Sequence, residues 1–364
     1  MNNTLIVIPS YEPPKLFIDY VKELLTAGAA RVIVINDGSS EKYNNVYSEI
    51  RNIEGATLLE YSENHGKGYA LKYAFKYIKE NFSDNVCIVT ADCDGQHSVE
   101  DVFNLAKTAN ENPNDLILGV RDFSKDNVPR RSRFGNINTR RMFNILYGLK
   151  VTDTQTGLRA FSTPLIDKML EIDGDRFEYE MNMLIVLYKN NVNFTEVPIE
   201  TIYEEKPSDV DKRSHFKTIS DSIKVWSVLF KNLNFYLIAS AISIVVEIGL
   251  FALCQYKFYQ FLLSPALITL CSSITARISS SLVNYFINYK FVFNGQGKSA
   301  IIRYYVLWTS SLTLSYLLTN LFGNVLGLPI VLFKMLVDVV LAVFNYRIQT
   351  VWVFPHGCKH KSRK

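Results

Sequence analysis

The sequence predicts an α/β domain built on a mainly parallel sheet, followed by an all-α domain of four transmembrane helices. In the N-terminal half, short apolar runs alternate with segments whose apolar residues recur at helical spacing. Apolar runs without polar alternation are typical of parallel strands that are covered on both faces. After about residue 232 the chain consists mainly of long apolar stretches. Each of them reaches the roughly 20 residues needed to cross a bilayer.

The strands and helices of the first domain follow from these patterns in chain order. Residues 5–8 and 31–35 are apolar runs that predict two strands, ending at Pro9 and at the turn-forming sequence Asn36-Asp-Gly-Ser39. A helix between them is predicted by the spacing of Leu16, Tyr20, Leu24 and Leu25. A second helix, predicted by Tyr69, Tyr73, Ala74 and Ile78, leads to a third apolar run at residues 86–89.

Two carboxylates, Asp92 and Asp94, stand where this third run ends. If residues 87–91 form a strand, alternation places both carboxylates on one side, roughly 6–7 Å apart. Oxygen ligands at this spacing suit Mg²⁺ or Mn²⁺, which also bind phosphate oxygens, and Gln96 offers a third oxygen. For the D-x-D alone, a solvated turn is an equally good interpretation.

Three polar strand ends are expected at one edge of the sheet: residues 9–11, 37–39 and 92–96. Ligands of parallel sheets bind beyond the carboxyl ends of the strands. Convergence of these segments favours a site for a nucleotide and a metal over three unrelated loops. The chain contains no G-x-G-x-x-G and no Walker A lysine with its serine or threonine, so dinucleotide and P-loop sites lose support.

Several motifs, in family order, resemble glycosyltransferase family 2 with a GT-A fold, a Rossmann-like α/β architecture. They are Pro9-Ser-Tyr11, Asn36-Asp-Gly-Ser39, Asn64-His-Gly-Lys-Gly68, Asp92-Cys-Asp-Gly-Gln96 and Gly119-Val-Arg121. The run from Asp153 to Phe161 is similar to the polyprenyl-phosphate sugar synthases, such as dolichol-phosphate mannose synthase. The resemblance covers roughly the first 215 residues. Glu12, Pro13 and Asn36 depart from the residues that the family often has at these positions.

The resemblance implies a role for each matching residue. A nucleotide-sugar donor would contact Pro9, Tyr11, Glu12, Asp37, Lys67, Ala91, Asp92 and Arg121. The metal would be held by Asp92, Asp94 and Gln96, and the catalytic centre would contain Asp94, Asp153 and Arg133. The acceptor phosphate would meet Arg133, Arg213 and Ser214. A solvated basic face remains the alternative for the arginines, and Lys67 could be a loop lysine without a ligand.

Four apolar stretches predict the transmembrane helices, at about residues 233–254, 265–287, 301–322 and 329–354. Lysines and arginines concentrate before the first stretch, between the second and third, and after the last. By the positive-inside rule, both termini and the first domain are cytoplasmic, in a multi-pass protein of the cell (plasma) membrane. We expect a cytoplasmic GT-A domain at residues 1–213, an interfacial amphipathic helix at 214–231, a transmembrane domain at 232–356 and a basic tail at 357–364.

The transmembrane domain contains an internal repeat, because residues 284–293 align without gaps on residues 345–354. The domain is therefore predicted to consist of two related helical hairpins. It resembles the GtrA-like four-helix domain. Charges inside the spans suggest two pairs, Glu247 with Arg277 and Lys334 with Asp338. These pairs either hold the bundle together, the interpretation we prefer, or line a path for a lipid headgroup.

Composition and motifs together predict an enzyme acting at an anionic membrane surface. The formal charge is +4, basic residues form no stripe of the kind that binds nucleic acid, and the five cysteines lack metal or disulfide spacing. We expect metal-dependent, inverting transfer from a UDP- or GDP-linked sugar to a polyprenyl phosphate such as undecaprenyl phosphate, for cell-envelope glycosylation. Asp153 would orient groups rather than abstract a proton. The alternatives are a processive polysaccharide synthase, whose Q-x-x-R-W motif is missing, and a lipid-linked-sugar flippase with a sugar-binding domain. The membrane domain could also form a homo-oligomer.

Overall fold

The computed structural model describes residues 3–82, 85–123, 130–200, 220–258, 264–293, 295, 299–322, 326, 329–355 and 360–362. The chain divides into two compact units. The first comprises Met1–Asn144, Leu149–Val228 and Gly357–Lys364, and the second comprises Ile145–Gly148 and Leu229–His356.

The first unit contains one mixed sheet. Its strands are β1 (Thr4–Ser10), β2 (Arg31–Asp37), β3 (Ala56–Tyr61), β4 (Cys87–Thr90), β5 (Asp115–Arg121), β6 (Arg159–Ser162), β7 (Asn193–Ile199) and β8 (His360–Ser362). Their order is β3-β2-β1-β4-β6-β5-β7-β8. Strand β6 is antiparallel to both of its neighbours, and every other pairing is parallel. The predicted mainly parallel α/β architecture is confirmed.

The helices of the first unit cover both faces of this sheet. They are α1 (Phe17–Thr26), α2 (Asn44–Arg51), α3 (Lys67–Asn81), α4 (Val99–Glu111), α5 (Arg130–Tyr147), α6 (Ile166–Leu170) and α7 (Glu178–Lys189). Strands β1 and β2 bury both faces because their central residues are all apolar, as in Ile6, Val7, Val32 and Ile33. One face packs against Phe17, Val21 and Leu24 of α1 and against Val102 and Leu105 of α4. Strands β1 and β2 are therefore buried between helices, and their polar ends follow directly from this core.

The predicted helix at residues 69–78 is present as α3, but two of the four residues predicted to face the core are not buried. Ala74 and Ile78 are buried, as expected. Tyr73 is 40% exposed, and its ring lies 5.6 Å from that of Tyr61 and 6.4 Å from that of Tyr69. The helix buries the neighbouring face, including Leu71, because small residues there let it approach the sheet. The tyrosines instead form a ring cluster on the outer face.

The second unit is helical, with the part of α8 (Ser220–Leu253) from Leu229 onward, α9 (Pro265–Ile287), α10 (Ala300–Asn320) and α11 (Ile330–Ile348). Within the described residues, three stretches are long and apolar enough to cross a membrane: Trp226–Lys257, Pro265–Val292 and Phe333–Val353. The third predicted span forms α10, whose many tyrosine, serine and threonine residues lower its mean hydropathy. Of the interfacial helix predicted at 214–231, residues 214–219 lie outside the described residues, and the remainder continues without a break into the first span as part of α8.

The internal repeat is visible in the structure. Each hairpin ends in a π-helical turn at the equivalent place, Asn288–Val292 in one and Gln349–Val353 in the other. The two closing phenylalanines, Phe293 and Phe354, stack with ring centroids 5.1 Å apart. Contacts around them are reciprocal: Tyr285 lies 6.1 Å from Phe354, and its repeat equivalent Tyr346 lies 5.5 Å from Phe293. The two repeats therefore contact one another through equivalent aromatic residues.

Both ion pairs predicted inside the spans are formed. Arg277 Nε lies 3.3 Å from Glu247 Oε1, and Ser280 donates a hydrogen bond of 3.1 Å to the other carboxylate oxygen. Lys334 pairs with Asp338, and the Ser315 hydroxyl donates to the same carboxyl at 2.8 Å. Each pair includes a serine partner, so these charges are satisfied within the bundle.

Candidate active site

The candidate site lies at the carboxyl edge of β1, β2 and β4, as predicted. Pro9 at the end of β1 pairs in register with Ile35 of β2, and the backbone N–H of Ala91, just after β4, donates to Val7 at 3.0 Å. The backbone N–H of Glu12 donates to the Ser39 hydroxyl at 2.9 Å. Tyr11 lies between Glu12 and the end of β1. These sequence-predicted residues are therefore brought to one edge.

The D-x-D carboxylates sit on a turn, which corrects the predicted strand geometry. Strand β4 ends at Thr90, so strand alternation does not set the spacing of Asp92 and Asp94. Instead, Asp94 Oδ1 accepts a hydrogen bond of 3.1 Å from the backbone N–H of Gln96. Gly95 between them has a φ of +73°, a conformation that glycine adopts without steric cost. The turn carries Asp94 and Gln96 into solvent.

Asp92 is held from several sides. Lys67 Nζ lies 2.6 Å from its Oδ1, and His97 Nε2 lies 3.4 Å from its Oδ2. The segment 153–158 also packs onto this carboxylate, since a Cβ at Gly157 would stand only 2.4 Å from Asp92 Oδ2. A hydrogen bond of 2.9 Å from the Thr90 hydroxyl to the Gly157 carbonyl fixes that approach.

The two carboxylates have different electrostatic environments. Burial opposes ionisation of Asp92, but Lys67 and His97 outweigh it and hold the pKa of this carboxyl well below its usual range. Partial loss of hydration, together with the charge of Asp92, raises the pKa of Asp94, although part of its side chain stays exposed to solvent. The negative charge at this turn is therefore only partly compensated by the protein.

The donor set fits a hard divalent cation. Asp92, Asp94 and Gln96 offer oxygen atoms. The charge of Asp92, which after loss of hydration is the second cause of the raised pKa of Asp94, is one that a bound cation would offset. Within the described ranges, no group of three or more His, Cys, Asp and Glu side chains is arranged as a metal site. Mg²⁺ commonly takes one or two carboxylates from the protein and fills its coordination with water and substrate phosphate. The predicted metal ligands remain a prediction on these grounds.

Lys67 contacts a second carboxylate that the sequence analysis missed. Its Nζ lies 2.9 Å from Glu180 Oε1, on α7. Burial disfavours the charged amine, but Asp92 and Glu180 outweigh burial and raise the pKa of Lys67. Lys67 is the first residue of α3, directly after Gly66, whose φ is +105°. No local pattern marks Glu180 as a site residue, because helix packing alone brings α7 to this turn.

Arg159, in β6, is a second buried cation that sequence reasoning did not identify as a site residue. It is 1% exposed. Its Nε donates to the Thr156 carbonyl at 3.0 Å and its Nη1 to the Glu180 carbonyl at 2.8 Å. Burial lowers the pKa of Arg159, although Glu180 and Asp153 favour its charge. Arg159 thus links the segment before β6 to α7, the helix that carries Glu180.

Asp153 is engaged by several donors. Arg121 donates from Nε to Oδ2 at 2.7 Å and from Nη2 to Oδ1 at 3.2 Å. Oδ1 also accepts from Asn136 Nδ2 at 2.9 Å and from the backbone N–H of Gln155 at 3.0 Å. Asp153 is fully buried. This carboxylate therefore joins β5, α5 and the segment before β6, which supports the expected orienting role.

Two predicted regions remain to be placed. Arg133 lies on α5, within one turn of Asn136, and so is on the helix that contacts Asp153. Arg213 and Ser214, the other predicted phosphate ligands, lie outside the described residues. The structure therefore places only one of the three predicted acceptor-phosphate residues.

Asp37 is buried at the end of β2, where its carboxylate organises the segment that leads into α3. It accepts hydrogen bonds from Tyr61 Oη at 2.9 Å, from Asn64 Nδ2 at 3.0 Å and from the backbone N–H groups of His65 and Gly66 at 2.8 and 2.9 Å. By fixing Gly66, Asp37 fixes the start of α3 and hence Lys67. Its predicted contact with the nucleoside stays a prediction.

Comparison with known proteins gives two family matches. Residues 5–170 match the family described as glycosyl transferase family 2, and residues 235–354 match the GtrA/DPMS transmembrane domain. An uncharacterized protein of Methanocaldococcus jannaschii is 33% identical over 208 residues, which are 55% of this chain and 82% of that protein. The first match falls mainly on the sheet-containing unit and the second on the helical unit.

Two further relatives have names that state an activity. The UDP-N-acetylglucosamine–dolichyl-phosphate N-acetylglucosaminyltransferase of Methanococcus voltae is 29% identical over 222 residues, 55% of this chain and 86% of that protein. The dolichyl-phosphate hexose transferase of Haloferax volcanii is 30% identical over 186 residues, 51% of this chain and 75% of that protein. Both names describe transfer of a sugar to a polyprenyl phosphate.

Proposed function

We infer the function of this chain from one premise: it belongs to glycosyl transferase family 2, with a GtrA/DPMS transmembrane domain in its second unit. We propose that it transfers a sugar from a nucleotide-sugar to a polyprenyl phosphate at the cytoplasmic leaflet. The names of the relatives in Methanococcus voltae and Haloferax volcanii support this reaction class. Mg²⁺ or Mn²⁺ is the proposed cofactor.

One observation carries the proposal. The segment 153–158 lies between the ends of β4 and β5, and it contacts Asp92 through Gly157 and Arg121 through Asp153. A carboxylate that can hold a donor-bound cation and an arginine suited to phosphate are thereby set on either side of one short segment. Such a pairing of charges suits transfer between two phosphorylated substrates.

On the donor side, Asp92, Asp94 and Gln96 would hold the divalent cation. When bound, that cation neutralises the charge that develops on the departing nucleoside diphosphate. Lys67 adds a positive charge, with its Nζ 2.6 Å from Asp92 Oδ1. Pro9, Tyr11, Glu12 and Asp37 form the edge at which the nucleoside is proposed to bind.

On the acceptor side, the nucleophile is a phosphate oxygen of the lipid. A phosphate monoester has a second pKa of about 6, so most of the acceptor is already a dianion at neutral pH. The oxygen attacks the anomeric carbon, the bond from that carbon to the donor phosphate breaks, and the nucleoside diphosphate leaves with inversion. No protein base is required, which agrees with the engagement of Asp153 by Arg121, Asn136 and Gln155.

The membrane unit is proposed to hold the enzyme at its acceptor. A lipid acceptor is confined to the bilayer, so anchoring raises its effective concentration without any new contact. We propose four spans with both termini cytoplasmic, from the distribution of lysine and arginine along the sequence. The ion pair of Glu247 with Arg277 would then be a structural feature of the bundle.

The test is to incubate membranes containing the protein with UDP- and GDP-linked sugars and either undecaprenyl or dolichyl phosphate. Mass spectrometry of the extracted lipid should show one added sugar for one of these donors. A polymer that grows without a lipid phosphate would instead identify a processive synthase. Donor binding with no transfer to either lipid would support a sugar-binding domain and overturn the proposed reaction.

A further inference from the structure

Lys67 lies between two carboxylates that come from different parts of the chain. Its Nζ is 2.6 Å from Asp92 Oδ1 and 2.9 Å from Glu180 Oε1. The side chains of Lys67 and Glu180 are only 15% and 10% exposed. Two carboxylates and one ammonium thus share a partly buried site at the start of α3.

Such an arrangement is costly unless the charges remain paired. Removing one partner from a buried ion pair leaves an uncompensated charge and is strongly destabilising. Arg159 donates to the backbone carbonyl of Glu180 rather than to its carboxylate. Among the ion pairs formed by the described residues, Lys67 is therefore the cation that directly faces the Glu180 carboxylate.

The position of Lys67 conflicts with the role proposed for Asp92. The Lys67 ammonium lies against Oδ1 of Asp92, the carboxylate that is expected to hold a divalent cation. Two cations that share a partly desolvated carboxylate repel one another. Lysine has a flexible stem and three donors, so it can exchange one anionic partner for another.

We propose that Lys67 is an exchangeable counter-ion of Asp92 and that Glu180 is the positioning residue that retains it. In the donor-free protein, Lys67 neutralises Asp92. When the cation arrives with the nucleotide-sugar, Lys67 gives up Asp92, keeps Glu180 and pairs with the donor diphosphate. This inference rests on the proposed function, because it assumes that a nucleotide-bound divalent cation binds at Asp92.

The proposal predicts opposite effects on cation and nucleotide binding. Lys67→Gln removes the competing charge, so the nucleotide-free protein should bind Mn²⁺ on the order of 10-fold more tightly. The same variant should bind UDP or GDP on the order of 10-fold more weakly at saturating Mn²⁺, because the diphosphate loses a cation. General damage to the site would weaken both.

Glu180→Gln should weaken Mn²⁺ binding, the opposite of the effect expected for Lys67→Gln. Without Glu180, Lys67 has Asp92 as its remaining carboxylate partner, so Mn²⁺ must displace a more firmly held ammonium and should bind several-fold more weakly. Lys67→Arg keeps the charge, so its Mn²⁺ affinity should stay within about twofold of wild type. These two variants keep the proposal testable if Lys67→Gln fails to fold.

A matched control is available on the same helix. Lys72 also forms a lysine–aspartate ion pair, with its Nζ 2.8 Å from Asp175 Oδ1. Lys72→Gln removes the same charge from α3 without touching Asp92. Its Mn²⁺ and nucleotide affinities should both remain within about twofold of wild type, since a charge beyond direct contact is largely screened.

The experiment uses the full chain in detergent micelles. Free Mn²⁺ is followed by electron paramagnetic resonance, and UDP or GDP binding is followed by calorimetry at saturating Mn²⁺. Tighter Mn²⁺ binding together with weaker nucleotide binding in Lys67→Gln supports the exchange. Mn²⁺ affinity in Lys67→Gln equal to or below that of Lys72→Gln overturns it. If wild type binds no Mn²⁺ even with nucleotide, the proposed metal-dependent function fails as well, so the two failures are distinguishable.

Discussion

Arg121 and Asp153 form a bidentate ion pair, with Nε to Oδ2 at 2.7 Å and Nη2 to Oδ1 at 3.2 Å. The pair joins the end of β5 to the segment that precedes β6, and Asp153 is fully buried within it. A bidentate pair fixes the plane of the guanidinium as well as its distance. Asp153 is therefore best understood as the residue that aims Arg121.

If Asp153 orients rather than deprotonates, Asp153→Asn should retain measurable transfer. The amide can still accept one hydrogen bond from Arg121, so we expect a loss of about 10- to 100-fold, as for a misplaced positioning group. The rate should still rise through roughly pH 6, because the ionising group is the lipid phosphate. Initial rates from pH 5 to 8 check this.

The contrary result for Asp153 is equally definite. Complete inactivity of Asp153→Asn, with unchanged donor binding and thermal unfolding, would make the carboxylate an essential base. Asn136→Ala serves as the control, since it removes a neutral donor at 2.9 Å from the same carboxylate and leaves its charge in place.

Gly157 should be intolerant of any side chain. A Cβ there would lie 2.4 Å from Asp92 Oδ2, so Gly157→Ala must push the carboxylate or the segment 153–158 away. A displacement of this kind costs about 10²-fold in rate. Transfer by Gly157→Ala, measured beside its thermal unfolding, should show loss of rate in a folded protein.

Gly135→Ala is the matched control for that substitution. Gly135 lies within α5, and a Cβ there would meet nothing within 4 Å. Alanine stabilises a helix-interior position that has room for its methyl group by roughly 0.5–1 kcal/mol relative to glycine. Gly135→Ala should therefore be fully active and slightly more stable. Equal activity of the two variants would remove Gly157 from the description of the site.

The ion pair of Glu247 and Arg277 should matter for stability and not for chemistry. Glu247→Gln or Arg277→Gln leaves one charge without its partner at 3.3 Å, so each single variant should lower the unfolding temperature in detergent. The double variant should recover part of the loss, because no unpaired charge remains. Transfer per folded molecule should be unchanged in all of them. Loss of transfer in stably folded variants would instead favour a path for the lipid headgroup.

Three of the eight strands of the sheet, and the edge at which a ligand is expected, could be predicted because the information is local. Apolar runs marked β1, β2 and β4, and the polar residues at their ends, Asp37 and Asp92 among them, marked one edge. For Asp92 and Asp94 both strand alternation and a turn were open from the sequence, because D-x-D spacing fits both, and the structure has the turn. Glu180 and Arg159 were missed as site residues, since only tertiary packing brings α7 and β6 to Lys67. Tyr69 and Tyr73 were wrongly predicted to face the core, because tyrosine packs either in a core or in a cluster of rings at the surface.

The central claim is that the Asp92–Asp94 turn supports sugar transfer to a lipid phosphate through a divalent cation. The most direct measurement is the initial rate of lipid-phosphate-sugar formation by wild type and Asp94→Asn, each with Mg²⁺ and after complete chelation by EDTA. We predict that Asp94→Asn loses on the order of 100-fold or more, that chelation abolishes wild-type transfer, and that added Mg²⁺ or Mn²⁺ restores it. Wild-type transfer that continues undiminished after chelation would contradict the account.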